Sequence, residues 1–237
     1  MKILYKVCFN ESRLNSRPLC NSIQDMVSAC LLSVVKQMDT NDEIIFFLDG
    51  DDPLDTIQTI CNKYKINYNI KSFNYSCAVR INKECFLYII NDVTDKDELI
   101  YMCDDDYLHY NNCLDNIKDF LTTYPQYFCH PIDYPNLYEN KKEYNQFSEI
   151  VVTKNWHWRS VKSTTVTFAF TKHMFTKHYS IFTSITESLY WDHYQNLLYV
   201  FDKCFSPIPS LTTHIETDCL PYCIDNKNIY NNNLKEC

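Results

Sequence analysis

The sequence predicts an α/β fold: a mainly parallel sheet flanked by helices, continued by a half of mixed character. Three observations lead there. Apolar runs recur at 3–9, 43–48 and 98–103, with an alternating run at 66–70, and near-continuous apolar strands are those covered on both faces. Between them lie segments with apolar residues at helical spacing, so strand and helix alternate as βαβαβαβα. Polar clusters follow three of the runs, at 10–17, 49–52 and 104–106. Ligands of open parallel sheets bind beyond the carboxyl ends of the strands, so these three turns predict one site.

The first run is interrupted only by Lys6. Ser22 and Asp25 then fit an S-x-x-D capping box, and Ile23, Met26, Val27, Cys30, Leu31 and Val34 form the apolar face of the helix it opens. Asn41 and Asp42 break that helix. Gly50, the one glycine of the chain, follows the second strand, at a place where a backbone conformation that other residues resist is expected. Asp52 with Pro53 behind it is a helix start, and Leu54, Ile57, Ile60, Cys61 and Tyr64 mark the buried face. A third strand at 66–70 precedes a helix at 76–90, with Ala78, Ile81, Cys85 and Ile89 inward. The fourth strand runs straight into three aspartates. A helix at 113–121 ends near Pro125.

The second half reads differently. Residues 126–155 are irregular and rich in Tyr, Pro and Asn, and two of the three tryptophans cluster at Trp156 and Trp158. The stretch 164–171 alternates, with Val166, Phe168 and Phe170 on one face. Tyr190, Tyr194, Leu197 and Phe201 mark a helix over 187–201. The stretch after Asp225 is polar and is expected to be mobile. No linker or repeat is present, so one domain over 1–237 is expected, with a ligand-binding half at 1–125, a second half at 126–225 and a tail at 226–237.

Composition narrows the function. With 46% hydrophobic residues in 237, a sizeable core is available and global disorder is excluded. A single glycine rules out Gly-rich phosphate loops, which need several. A nucleotide would have to be held by other means, a divalent cation foremost. The net charge of -8 has the wrong sign for a nucleic-acid binder. No apolar run reaches the length of a membrane span, and the start is too short for a secretory signal. The 13 cysteines include no C-x-x-C pair. They read as reduced, mostly buried thiols of a reducing compartment such as the cytoplasm, the host's if the protein is viral.

In an extended strand Asp104 and Asp106 point the same way and Asp105 the other. Two such carboxylates can hold Mg2+ or Mn2+ while substrate phosphates complete the shell. An acidic turn capping the next helix is the other reading of the same residues.

The stretch YMCDDDYLHY, with NSRP before the first helix, HWRSVKSTTVTFAFTKHMF and SPIPSLTTHIE, resembles a set of viral and phage glycosyltransferases close to the broad family 2 group. The glycosyltransferase domain at the start of a chlorella-virus protein is among them. The resemblance covers most of 1–225. It implies a GT-A fold, Rossmann-like, with an acceptor-side second half, and a metal-dependent hexosyl- or deoxyhexosyltransferase. Such an enzyme would move sugar from a nucleoside-diphosphate donor to a glycan or glycoprotein acceptor. Asp104 and Asp106 would be its D-x-D pair, Asp106 the metal ligand and Asp104 also near the ribose, with Asp105 beside the donor. His214 would be a further metal ligand, its imidazole suiting Mn2+. Arg13, Arg17 and Asp49 would surround base and ribose, and Arg80 the diphosphate or sugar. Trp156, Trp158 and Arg159 would receive the acceptor. Glu187 or Asp192 would be the catalytic base, although the family's E-D dipeptide is absent. His173, His178 and His193 form no tight zinc motif. A sugar-nucleotide nucleotidyltransferase and a non-catalytic carbohydrate-binding protein are the alternatives.

Overall fold

A computed structural model describes residues 1–8, 11–50, 54–75, 77–138, 148–162, 167–185, 196, 198–221 and 223–237, with backbone alone at 11–13, 78, 79, 136, 137 and 185. The first half alternates as its sequence demands: β1 (Lys2–Cys8), α1 (Ile23–Val35), β2 (Glu43–Asp49), α2 (Leu54–Tyr64), β3 (Tyr68–Phe73), α3 (Ala78–Asn91) and β4 (Leu99–Asp104). These strands pair in parallel, in the order β3-β2-β1-β4. After the short β5 (Tyr107–His109) and α4 (Cys113–Thr123), the second half extends the sheet past β4. It adds β6 (Phe128–Cys129), β7 (Ile150–Val152), β8 (His157–Val161), β9 (Phe168–Thr171) and β10 (Cys204–Ile208). Among the described residues the sheet has nine strands, in the order β3-β2-β1-β4-β9-β6-β10-β8-β7. Here β9 runs against β4 and β6, and β8 against β10, while β6 and β10 are parallel. The fold is therefore α/β, with a parallel half and a mixed half.

Helices cover both faces. Tyr5, Phe46 and Tyr101 pack with α1, α2 and α4 on one side. Leu4, Phe47 and Met102 pack with α3 and with α5 (Lys172–Lys177) and α6 (Tyr179–Ile185) on the other. Alternate residues of each central strand serve opposite faces, which is why the runs are apolar throughout. Ser22 Oγ accepts the Asp25 N–H, 3.0 Å away, closing the expected cap. Gly50 has φ of +107°, a conformation that resists a side chain. All the cysteines are free, and burial raises the thiols of Cys30, Cys103, Cys113 and Cys129, keeping them inert. No helix among the described residues is long and apolar enough to cross a membrane.

Two expectations are corrected. The tail is no mobile segment: Asn226–Glu236 forms α7, capped by Asp225 and packed against α1 through the buried Tyr230. The aspartates do not continue one extended strand either. Strand β4 stops at Asp104, and Asp105 and Asp106 make the turn into β5. The chain turns because β5 leaves the large sheet to pair antiparallel with β11 (Thr212–His214).

Candidate active site

Strands β1, β2, β4 and β6 end at the same edge of the sheet, and the polar residues gather there. Asp104 Oδ1 meets Lys6 Nζ at 2.9 Å, and Lys6 also donates to Asn82 Oδ1 at 3.1 Å. Lys6 is thus a buried counter-charge to the first of the three aspartates. Asp105 is buried and accepts the Cys8 backbone N–H at 3.0 Å. It ties the end of β1 to the turn after β4.

Asp106 is the centre of a second group. Its Oδ2 accepts from Arg17 Nη2 at 2.7 Å and lies 3.0 Å from His214 Nε2. Three distant segments meet on one oxygen: the loop before α1, the β4–β5 turn and β11. Pairing of β11 with β5 sets His214 opposite Tyr107. Their rings stack at 4.8 Å with planes 5° apart. Glu216 closes the group, with Oε1 3.1 Å from Arg17 Nη1 and Oε2 3.4 Å from His214 Nδ1. Burial by itself would lower the His214 pKa. The neighbouring Asp106 carboxylate outweighs it and raises the group to about 10, so the imidazole is charged when no metal competes.

Among the described residues, the side chains that bring possible ligand atoms within 4.8 Å of one another are His214, Glu216 and Cys219. Asp106 Oδ2 and His214 Nε2, at 3.0 Å, are spaced as two ligands of one divalent cation are. With Nδ1 facing Glu216, the imidazole can turn a lone pair from Nε2 toward that cation, as metal-binding histidines backed by a carboxylate do. Arg17 Nη2 also lies 3.2 Å from His214 Nε2, so the guanidinium rests against both Asp106 Oδ2 and His214 Nε2, and a cation bound by them would have to displace it. Asp104, engaged by Lys6, stands apart from that pair.

The other expected residues are placed as follows. Asp49 uses Oδ1 to accept from the Tyr75 N–H at 2.7 Å and Oδ2 from the Cys77 N–H at 2.9 Å, shaping the loop before α3. Arg80 is exposed on the first turn of α3, its guanidinium 5.7 Å from the Tyr75 ring. Trp158 is a core residue, fully buried, with its ring 4.4 Å from Phe120, and has no face to offer an acceptor. Trp156 donates its indole N–H to the Pro209 carbonyl at 2.7 Å and packs at the core's edge. Arg159 donates to Asp133 Oδ1 at 2.7 Å. The Arg13 side chain, Glu187 and Asp192 lie outside the described residues, as does His193. His178 bonds Asp202, and His173 donates its backbone N–H to the Lys96 carbonyl, with no metal grouping around either among the described residues.

Sequence reasoning missed Lys6, Glu216, Thr167 and Asp133. Thr167 Oγ1 accepts the Asp104 N–H at 3.3 Å, and its carbonyl takes the His130 Nδ1–H at 2.7 Å. A lysine inside an apolar strand and a glutamate two residues beyond a candidate ligand were the available signals for the first two. Thr167 and Asp133 carried none.

No protein-family model matches the chain, and no curated protein does. Among solved structures, S. aureus TarS 1–349 is 11% identical with a TM-score of 0.55, over 86% of this chain and 57% of that one. Its complex with UDP is 13% identical with a TM-score of 0.56, over 87% and 57%. The nucleoside-diphosphate-sugar pyrophosphorylase of Vibrio cholerae RC9 is 10% identical with a TM-score of 0.55, over 98% and 99%. This chain spans 57% of the length of those TarS structures. At such identities the likeness is one of fold, and the fold is the Rossmann-like GT-A type.

Proposed function

We propose that this chain is a glycosyltransferase that moves a sugar from a nucleoside-diphosphate donor to a hydroxyl of a glycan or glycoprotein. The observation that carries this reading is the meeting of Arg17, Asp106 and His214 beyond the carboxyl end of β4. That is where an open α/β sheet binds ligands. TarS, of like fold, was crystallised with UDP and with UDP-GlcNAc, which favours a nucleotide-sugar donor here.

In this reading Asp106 and His214 would hold Mn2+ or Mg2+, which would supply counter-charge to the donor's diphosphate. Arg17, beside the same carboxylate, presents a fixed positive charge to that leaving group, and charge held in place before reaction stabilises the transition state without reorganisation. Lys6 holds Asp104 at the edge of the sheet through their ion pair. Arg80 adds an exposed cation on the α3 side. Glu187, with Asp192 as the alternative, takes the acceptor proton.

The pyrophosphorylase matches 98% of this chain with a TM-score of 0.55, so nucleotidyl transfer is the second reading. Those enzymes carry a Gly-rich basic loop after the first strand. This chain has a single glycine, Gly50, and it follows the second strand.

The test is calorimetric binding of UDP and UDP-GlcNAc with and without Mn2+. The expected result is Mn2+-dependent binding that is lost in Asp106→Ala. Binding unchanged by that substitution removes the site, and incorporation of pyrophosphate into nucleoside triphosphate establishes the second reading.

A further inference from the structure

We propose that Tyr138 is the stacking platform for the acceptor sugar, a place that the sequence assigns to Trp156 and Trp158, of which Trp158 is buried in the core and Trp156 is packed at its edge. This inference rests on the glycosyltransferase reading and deepens it.

The segment after β6 is held rigidly. The His130 N–H bonds the Phe205 carbonyl at 2.9 Å, the Pro131 carbonyl accepts the Leu211 and Thr212 N–H groups at 3.0 and 3.1 Å, and the Asp133 N–H bonds Ser210 Oγ at 2.9 Å. It ends in a single helical turn, Pro135–Tyr138, which packs on the Thr217–Cys219 turn just past His214. A second link runs through Tyr134, whose hydroxyl lies 3.4 Å from that of Tyr107, the ring stacked on His214. The turn that ends in Tyr138 therefore lies against the segment that follows His214 and Glu216.

Its ring is fixed at two points. The Arg159 guanidinium lies 4.3 Å from the ring centroid, and the hydroxyl donates to Asp133 Oδ2. Arg159 and Asp133 bond each other at 2.7 Å, and both are nine-tenths buried, at 9% exposure each. Tyr138 itself is 58% exposed. One face of the ring is thus backed by a cation, and more than half of the side chain's surface is exposed to solvent.

Stability alone gives little reason for this arrangement. Burying an ion pair costs desolvation that an apolar pair would avoid, and the Arg159 Nε–H is buried without a partner among the described residues, a further cost. What the pair achieves is an exposed aromatic with almost no freedom left to lose. A pinned tyrosine offers a large, flat, amphipathic surface at low entropic cost. The ligand that suits it is a pyranose, whose C–H face lies on the ring while its hydroxyls stay in water.

The test uses the full chain, saturated with UDP and Mn2+. Saturation-transfer NMR is recorded with methyl β-glycosides of glucose, galactose and N-acetylglucosamine. At least one should receive saturation on the C–H protons of one sugar face. Tyr138→Ala should weaken that binding about tenfold, the upper range for an aromatic contact. Tyr138→Phe and Tyr138→Trp should keep it, because the ring and not the hydroxyl is needed. UDP affinity should be equal in all four proteins. A glycoside signal indifferent to Tyr138→Ala, or none from the wild type while UDP binds, overturns the platform. Absence of UDP binding in the wild type is instead the failure of the glycosyltransferase reading.

Discussion

His109 sits three residues past Asp106, and its neighbours explain it. It is buried, its Nδ1 faces the Tyr107 carbonyl at 3.1 Å, and its Nε2 accepts from the Tyr101 hydroxyl at 2.7 Å. Burial lowers its pKa to about 3, and that of the equally buried His130 to about 4. Both are neutral in the fold but take up protons near pH 6.5 when unfolded. The stability they confer is therefore complete above pH 6.5 and is lost as pH falls toward their folded values. Each should cost about 1.4 kcal/mol per pH unit inside that window. Urea midpoints at pH 7, 6 and 5 check this, and His109→Gln should flatten the curve; equal slopes in both proteins refute it. Glu216 gives a second prediction, since it orients both His214 and Arg17. Glu216→Gln should weaken Mn2+ binding about 10- to 100-fold, measured by EPR, with the melting temperature little changed. The aspartates were legible because three consecutive carboxylates are costly unless countered. Their individual duties were not. Which of them meets Lys6, Cys8 or Arg17 depends on the turn at Asp105 and Asp106, and that turn is set by the distant β11.

The strands and helices of the first half were readable for a physical reason. Each buries nearly every residue or a full stripe, so hydrophobic order along the chain records structure directly. Helix α7 shows where that record ends. Its residues NKNIYNNNLKE are mostly weak helix formers, and a polar stretch in isolation would not hold a helix. Contact with α1 makes the difference. Tyr230 is buried there, Lys36 pairs with Glu236 at 2.7 Å, and Asn226 accepts from the buried Tyr110 hydroxyl at 2.5 Å. Tyr230→Ala should cost about 3–5 kcal/mol, the usual range for removing a buried aromatic. Chemical denaturation measures it, and a loss under 1 kcal/mol would mean that the helix is an ornament. Helices α5 and α6 also went unread, because their apolar residues Met174, Phe175 and Phe182 face the sheet through two short turns too brief to show a period.

Across the whole molecule the sheet divides the work. The parallel strands β3-β2-β1-β4 bring Lys6, Asp49 and Asp104 to one edge, and the strands beyond β4 bring Asp133 and Arg159 to its continuation. β11 crosses back to set His214 on Asp106. In the proposed reaction the first group meets the donor and the second the acceptor, so damage to each should separate kinetically. In the sequence Glu187 opens the helical pattern expected over 187–201, and the proposed reaction gives it the acceptor proton. Glu187→Gln removes the basic oxygen and keeps the shape. It should leave UDP affinity untouched and lower transfer about 10²- to 10⁴-fold, the usual contribution of a general base. Asp192→Asn should leave transfer near the wild-type rate. The reverse pattern would move the role to Asp192, and full activity in both variants would mean that neither carboxylate takes the acceptor proton.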